Sequence, residues 1–171
     1  MPSVAKRIGV ISDTRGLLRP EAVAVLSDVD FLVHCGDVGS PEVLEELRAI
    51  APLVAVRGNN DRGAWANELP AADVLDVSGV TLYVLHDLGE LDLDPAAAGF
   101  HAVVAGHSHR PRIETRKGVL YVNPGSAGPR RFSLPIAVAR LDIVDGGVSG
   151  RIVELRPEVR SVRRVSGDRR S

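Results

Sequence analysis

Five segments of this 171-residue chain end an apolar run on side chains that can hold a metal ion. Asp13 follows RIGVIS (Arg7 to Ser12), Gly36-Asp37 follows FLVHC (Phe31 to Cys35), and Gly58-Asn59-Asn60-Asp61 follows LVAVR (Leu53 to Arg57). Further on, a run over Thr81 to His86 leads into His86-Asp87, and one over His101 to Ala105 leads into Gly106-His107-Ser108-His109. Carboxylate, amide oxygen and imidazole make a mixed oxygen and nitrogen donor set. It suits Mn, Fe, Zn, Co or Ni better than calcium. Taken singly, each segment has an ordinary explanation: an aspartate after a strand caps a turn, and Gly-Asn-Asn-Asp is a turn signal. His107 and His109 stand two apart, and in extended chain such residues point the same way. The conjunction points to one centre, with three of the five histidines at strand ends.

Strands must deliver these residues to a common edge. RIGVIS, FLVHC and LVAVR are short, continuous and rich in β-branched residues, as buried strands are. Between them, Pro20 to Ser27 reads as one helix; Ser40-Pro41-Glu42 supplies a cap, a first-turn proline and an acid for a second helix through Ile50. This βαβαβ order implies parallel strands joined by right-handed crossovers. In open α/β sheets ligands gather beyond the carboxyl ends of the strands.

The second half changes to a meander of strand-like runs at 73–77, 81–86, 101–105, 112–115, 119–122, 136–143 and 148–155. Ser78-Gly79, Lys117-Gly118 and Asp145-Gly146-Gly147 separate several of them as hairpin turns. Only Asp94 to Gly99 reads as a short helix. The expected class is α/β (α+β), with two packed mixed β-sheets flanked by helices.

Composition sets outer bounds. The chain suffices for one domain, expected over 1–155, and its 44% apolar content and 21 Lys+Arg against 22 Asp+Glu describe an ordinary globule. No apolar run reaches the ~20 residues of a membrane span, and MPSVAKR leads straight into a strand, so no membrane partner and no signal peptide are expected. A single cysteine, Cys35, excludes an internal disulfide framework and fits a reducing cytoplasm. The tail, 156–171, carries six arginines against Glu158 and Asp168 and reads as a solvated, flexible arm. With no aromatic residue interleaved for stacking, nucleic acid is not expected as a stable partner. An edge strand or sheet face leaves a homo-oligomer open.

ISDT-x-G, HCGDVG, VRGNND, AGHSHRP and NPGSAGPRR, in this order over Ile8 to Ile143, resemble the calcineurin-like metallophosphoesterase superfamily, and most closely its small single-domain bacterial and archaeal phosphodiesterases. The resemblance implies an αββα sandwich and two adjacent metals, with manganese the first expectation and one or two ions per chain. Carried over, Asp37 bridges the metals, Asp13 and His109 hold the first, and Asn59, His86 and His107 hold the second. Two such metals, roughly 4 Å apart, activate a shared water and clamp phosphoryl oxygens, so the reaction needs no serine or cysteine nucleophile.

Three positions depart from the family. Arg15 stands where the family has a histidine ligand. An arginine has no lone pair to offer, so its expected role is to fork onto substrate phosphate, or else to point into solvent. Asp87 replaces a common glycine, and pairing with Arg15 or support of a metal ligand would account for it. Asn60 stands where relatives carry a histidine acid, which leaves Asp61 to orient the loop and favours good leaving groups. Asp37, Asp61 and Arg15 are therefore the expected catalytic set. The implied activity is metal-dependent hydrolysis of phosphodiesters or small phosphomonoesters. The rival is a catalytically reduced binding scaffold, as the retromer subunit of the same fold exemplifies.

Overall fold

The structure is a computed structural model, and it describes residues 5–157. Most of the basic tail expected over 156–171 lies outside the described residues. The expected βαβαβ half is present as β1 (Lys6–Ile11), α1 (Pro20–Leu26), β2 (Phe31–His34), α2 (Pro41–Arg48) and β3 (Leu53–Ala55). A short α3 (Ala64–Asn67) follows. The strands β4 (Ala72–Val77), β5 (Val80–Leu85), β6 (Ala102–Val104), β7 (Arg112–Arg116), β8 (Val119–Asn123), β9 (Ala137–Val144) and β10 (Gly147–Glu154) complete the chain.

Two mixed five-stranded sheets result. The first has the order β10-β9-β1-β2-β3, with β1, β2 and β3 parallel and β9 antiparallel to β1. The second has the order β4-β5-β6-β8-β7. Its hairpins fall where expected, and both central residues of each turn have positive φ, as in Ser78 (53°) and Gly79 (84°), which matches the strand twist. The second half is not a pure meander, however, because β5, β6 and β8 run parallel. The segment between β5 and β6 crosses back over the sheet, and β7 is added outside β8 rather than between it and β6.

Alternation along the strands separates two apolar layers. Ile8 and Val10 of β1, Val33 of β2 and Leu141 of β9 face Leu82, Val84, Val104 and Val122 of the other sheet. On the opposite face of the first sheet, Ile11, Leu32 and Val138 pack against Ala22 and Leu26 of α1 and Leu44 and Leu47 of α2. Each fully buried leucine contributes roughly 1.5–3 kcal/mol. The outer face of the second sheet has no α-helix among the described residues. Leu88 and Leu91, in and after a 3-10 turn at Leu88–Glu90, cover part of its cluster of Leu85, Val103, Ala105 and Val119.

The helix expected over Asp94 to Gly99 does not form. Asp94 instead accepts from the Ala96 and Ala97 N–H groups with its own carboxylate, and Gly99 at φ 86° ends the segment after one turn.

Candidate metal centre

The donors expected from sequence lie at or just beyond strand ends, and the backbone there is bent into an unusual shape. Asp13, Arg15, Asp37, His107 and His109 all have φ between 49° and 71°. Non-glycine residues seldom adopt this left-handed region, and clusters of them mark sites held by their surroundings. Two glycines permit the close approach. A Cβ on Gly58 would lie 2.1 Å from the Asp37 nitrogen and 2.2 Å from its Oδ1; one on Gly106 would lie 2.0 Å from Ser12 Oγ and 2.8 Å from Asp13 Oδ2.

Asp13, Asp37 and His86 form the heart of the centre. Each offers a ligand atom within 4.8 Å of the others, and all three are buried. Asp13 Oδ2 accepts from Ser12 Oγ at 2.7 Å and from the His107 N–H at 3.2 Å. Asp13 Oδ1 and His109 Nδ1 are buried with no hydrogen-bond partner, while His109 Nε2 stands 3.3 Å from that same Oδ1. A buried carboxylate oxygen without a hydrogen-bond donor, 3.3 Å from an imidazole nitrogen, costs free energy unless a cation completes it. The residues thus fit a metal.

His86 is prepared in the same sense. Its Nδ1–H donates to the Cys35 carbonyl at 2.7 Å, fixing the ring and leaving Nε2 2.9 Å from Asn59 Oδ1 and 3.5 Å from Asp37 Oδ2. Backbone anchoring of the far nitrogen is how ligating histidines are oriented. Burial works against protonation of His86, but Asp37 and the Cys35 carbonyl outweigh it and raise its pKa. Burial likewise opposes ionisation of Asp37, yet contacts with His86 and Asn60 hold its carboxylate well below the ordinary range.

Arg15 points inward. Its guanidinium lies 3.5 Å from Asp37 Oδ2, and its side chain is one-third exposed. The same carboxylate takes two hydrogen bonds from Asn60, from the backbone N–H to Oδ1 and from Nδ2 to Oδ2, both at 2.9 Å. Asp87 does not pair with Arg15; its Oδ2 is 3.7 Å from His107 Nε2. His107 is 45% exposed on its side chain and edge-on to His86 with ring centres 5.1 Å apart, so it borders the core trio with its Nε2 turned toward Asp87.

Two further residues shape the centre without joining it. The Asp61 carboxylate accepts from the backbone N–H groups of Val38, Gly39 and Gly58, at 3.2, 3.0 and 2.9 Å. It ties the loop after β2 to the loop after β3. His34, at the end of β2, is wholly buried beneath. Its Nδ1 accepts from the Gly36 N–H at 3.1 Å, and its Nε2–H donates to Thr14 Oγ1 at 3.0 Å; that hydroxyl donates on to the Val38 carbonyl at 2.8 Å. Sequence reasoning missed Ser12 and Thr14. Their signal was position alone, one residue to either side of Asp13.

Fold and donors together define a two-sheet sandwich with a buried group of two carboxylates and an imidazole, able to hold a metal ion, at the ends of its strands. The profile of the calcineurin-like phosphoesterase superfamily domain matches residues 7–146, and the chain belongs to that superfamily. A probable metallophosphoesterase of Methanocaldococcus jannaschii is 35% identical over 151 residues, 81% of this chain and 76% of its own. Among solved structures, vacuolar protein sorting 29 of Cryptosporidium parvum superposes with a TM-score of 0.72 at 18% identity, covering 91% of this chain and all of its own. An archaeal phosphodiesterase superposes at 0.67 with 22% identity, covering 86% and 99%. At these identities the superpositions speak for the fold. Family membership supports a hydrolase that uses divalent metal ions on a small phosphate ester. No helix among the described residues is long and apolar enough to cross a membrane.

Proposed function

We propose that this protein hydrolyses phosphodiesters or small phosphomonoesters at a two-metal site whose first position is modified, with manganese the leading candidate metal and the cytoplasm its compartment. The observation that carries the reading is the buried trio of Asp13, Asp37 and His86, in which Asp13 Oδ1 has no hydrogen-bond donor and stands 3.3 Å from His109 Nε2. Asp13, Asp37 and His109 would hold the first metal, and Asp37, Asn59, His86 and His107 the second. Metal ions bound there supply Lewis acidity toward water and the phosphoryl oxygens.

The chain's own residues do the rest. Asp13 and Asp37 provide the negative charge that concentrates cations at the strand ends. The Cys35 carbonyl keeps His86 in the tautomer that leaves Nε2 free. Arg15 is placed to fork onto the substrate phosphate, exchanging its contact with Asp37 for one with a more strongly charged oxyanion. Asn60 has no proton to give at neutral pH and is held on Asp37, so departure is easiest for aryl oxides and other weakly basic leaving groups. Asp61 acts by positioning the two ligand loops.

The contact of Arg15 with the Asp37 carboxylate also favours a second reading, a binding scaffold with little catalysis. Hydrolysis of bis(p-nitrophenyl) phosphate, followed with each of Mn, Co, Ni and Zn and with chelator, separates the two. The phosphoesterase reading expects metal-dependent turnover that falls by more than about tenfold in Asp37→Asn, or more than ~1.4 kcal/mol of barrier. A wild-type protein inactive with every metal leaves the scaffold.

A further inference from the structure

Next to the metal centre, on the outer face of the second sheet, lies a cavity of about 600 Å³. Asp87 and His107 are among its lining residues, and His107 is packed edge-on against His86, so the cavity adjoins the centre. The lining includes Val103, Ala105 and Tyr121, part of the apolar cluster that no helix covers among the described residues. A cavity of this size with an apolar base and a few polar groups suits a small molecule.

Its polar groups are not neutral in sum. Arg112 and Arg116 both pair with Glu114, the former at 3.0 Å, and Arg116 lies over the Tyr121 ring at 4.6 Å from its centre. Asp87 faces His107. Arg110 is the third arginine of the lining and has no carboxylate partner among the described residues. An apolar base, an aromatic face with a guanidinium plane on it and one uncompensated arginine favour a planar ring that carries its own anion.

We propose that this cavity receives one ester arm of the substrate, and that it selects a nucleotide arm: a base seated toward Tyr121 and a second phosphate met by Arg110. The selection rests on the phosphoesterase reading and names its substrate class, phosphodiesters of nucleotides. Tyr121 and Arg110 are specificity residues that touch the arm and not the reacting phosphoryl group.

Three chromogenic esters test this: p-nitrophenyl phosphate, thymidine 5′-(p-nitrophenyl phosphate), and the latter with a 3′-phosphate added. In the wild type the 3′-phosphate lowers KM by about tenfold, the strength of one charge-assisted contact. Arg110→Ala abolishes that gain while leaving p-nitrophenyl phosphate kinetics and metal content unchanged. Tyr121→Leu, with its urea midpoint checked, instead raises KM for both thymidine esters. Titration calorimetry with thymidine 3′,5′-bisphosphate follows the same contact without turnover, weakening about tenfold in Arg110→Ala. Equal KM with and without the 3′-phosphate, or an Arg110→Ala protein that matches the wild type on the doubly phosphorylated ester, overturns the assignment. Failure of the phosphoesterase reading looks different. The wild type then hydrolyses none of the three esters, and the calorimetry alone decides: binding that weakens in Arg110→Ala upholds the cavity's selectivity, and its absence overturns it.

Discussion

Acidification tests the buried histidine beneath the centre. His34 has both nitrogens committed in the neutral ring, one accepting from Gly36 and one donating to Thr14. Burial is the largest influence on it. The fields of Asp13 and Asp61 oppose burial only in part, and its pKa is lowered to about 4. In the unfolded chain a histidine titrates near 6.5. Above that value neither state is protonated and His34 adds no pH dependence. As pH falls from 6.5 toward 4 the unfolded state takes up the proton first, so stability drops, by roughly 3 kcal/mol in all, and then levels off. His86 works in the opposite direction. Its raised pKa adds stability that is fully present below 6.5 and lost as pH rises through the folded value. The depressed pKa of Asp37 matters lower down, since its contribution is lost only as pH falls below about 3.9. The difference between wild type and His34→Gln cancels both. Urea unfolding of the two proteins in chelator, from pH 7.5 to 4.5, should show the stability gap narrowing by about 2–3 kcal/mol as the pH falls. Parallel curves would refute the argument that His34 is held neutral by burial.

Asp61→Asn keeps one acceptor oxygen and turns an amide N–H toward backbone N–H groups, so it should lose about 2–4 kcal/mol of stability at pH 7, read from the urea midpoint. Gly58→Ala drives a methyl into Asp37, so metal content measured by atomic emission should fall together with activity, even though the substitution lies on no ligand. Arg15→His should raise metal stoichiometry toward two per chain, whereas Arg15→Ala should raise KM without adding metal; equilibrium dialysis and steady-state kinetics distinguish them.

The strand ends were legible because buried parallel strands are continuous apolar runs and because polar residues after such runs stand out. That pointed to Asp13, Asp37 and His86, whose ligand atoms lie within 4.8 Å of one another, and the three hairpin turns were fixed by their Ser-Gly, Lys-Gly and Asp-Gly pairs. What was not legible depends on distant pairings. Asp94 could begin a helix or close a single turn, and the turn won because its carboxylate captures the next N–H groups. Parallel pairing of β5, β6 and β8 is invisible locally, since each reads as one strand of a meander. The direction of Arg15 could not be read from its neighbours, because Asp37 lies one strand away. The cavity beside His107 exists because no helix covers that face among the described residues, and the unpaired Arg110 became visible only once Glu114 was seen to engage Arg112 and Arg116.

The placement of β1 between β2 and β9 has a consequence for biosynthesis. Asp13 is among the first donors made, but its carboxylate is held by the His107 N–H, 94 residues on, and its carbonyl accepts from Ser126, 113 residues on. Beyond these, β1 pairs through Val10 with Ala139 of β9. A chain emerging from the ribosome has therefore displayed every expected ligand, from Asp13 to His109, before the strand that flanks β1 on its other side exists. Contacts so distant in sequence form slowly, because a long loop must close before they return any stabilisation. Loading with metal is in this sense a quality mark of the finished chain. A nascent fragment that stops before β9 leaves β1 paired on one side only, so Asp13 stands on a strand not yet held in the finished sheet.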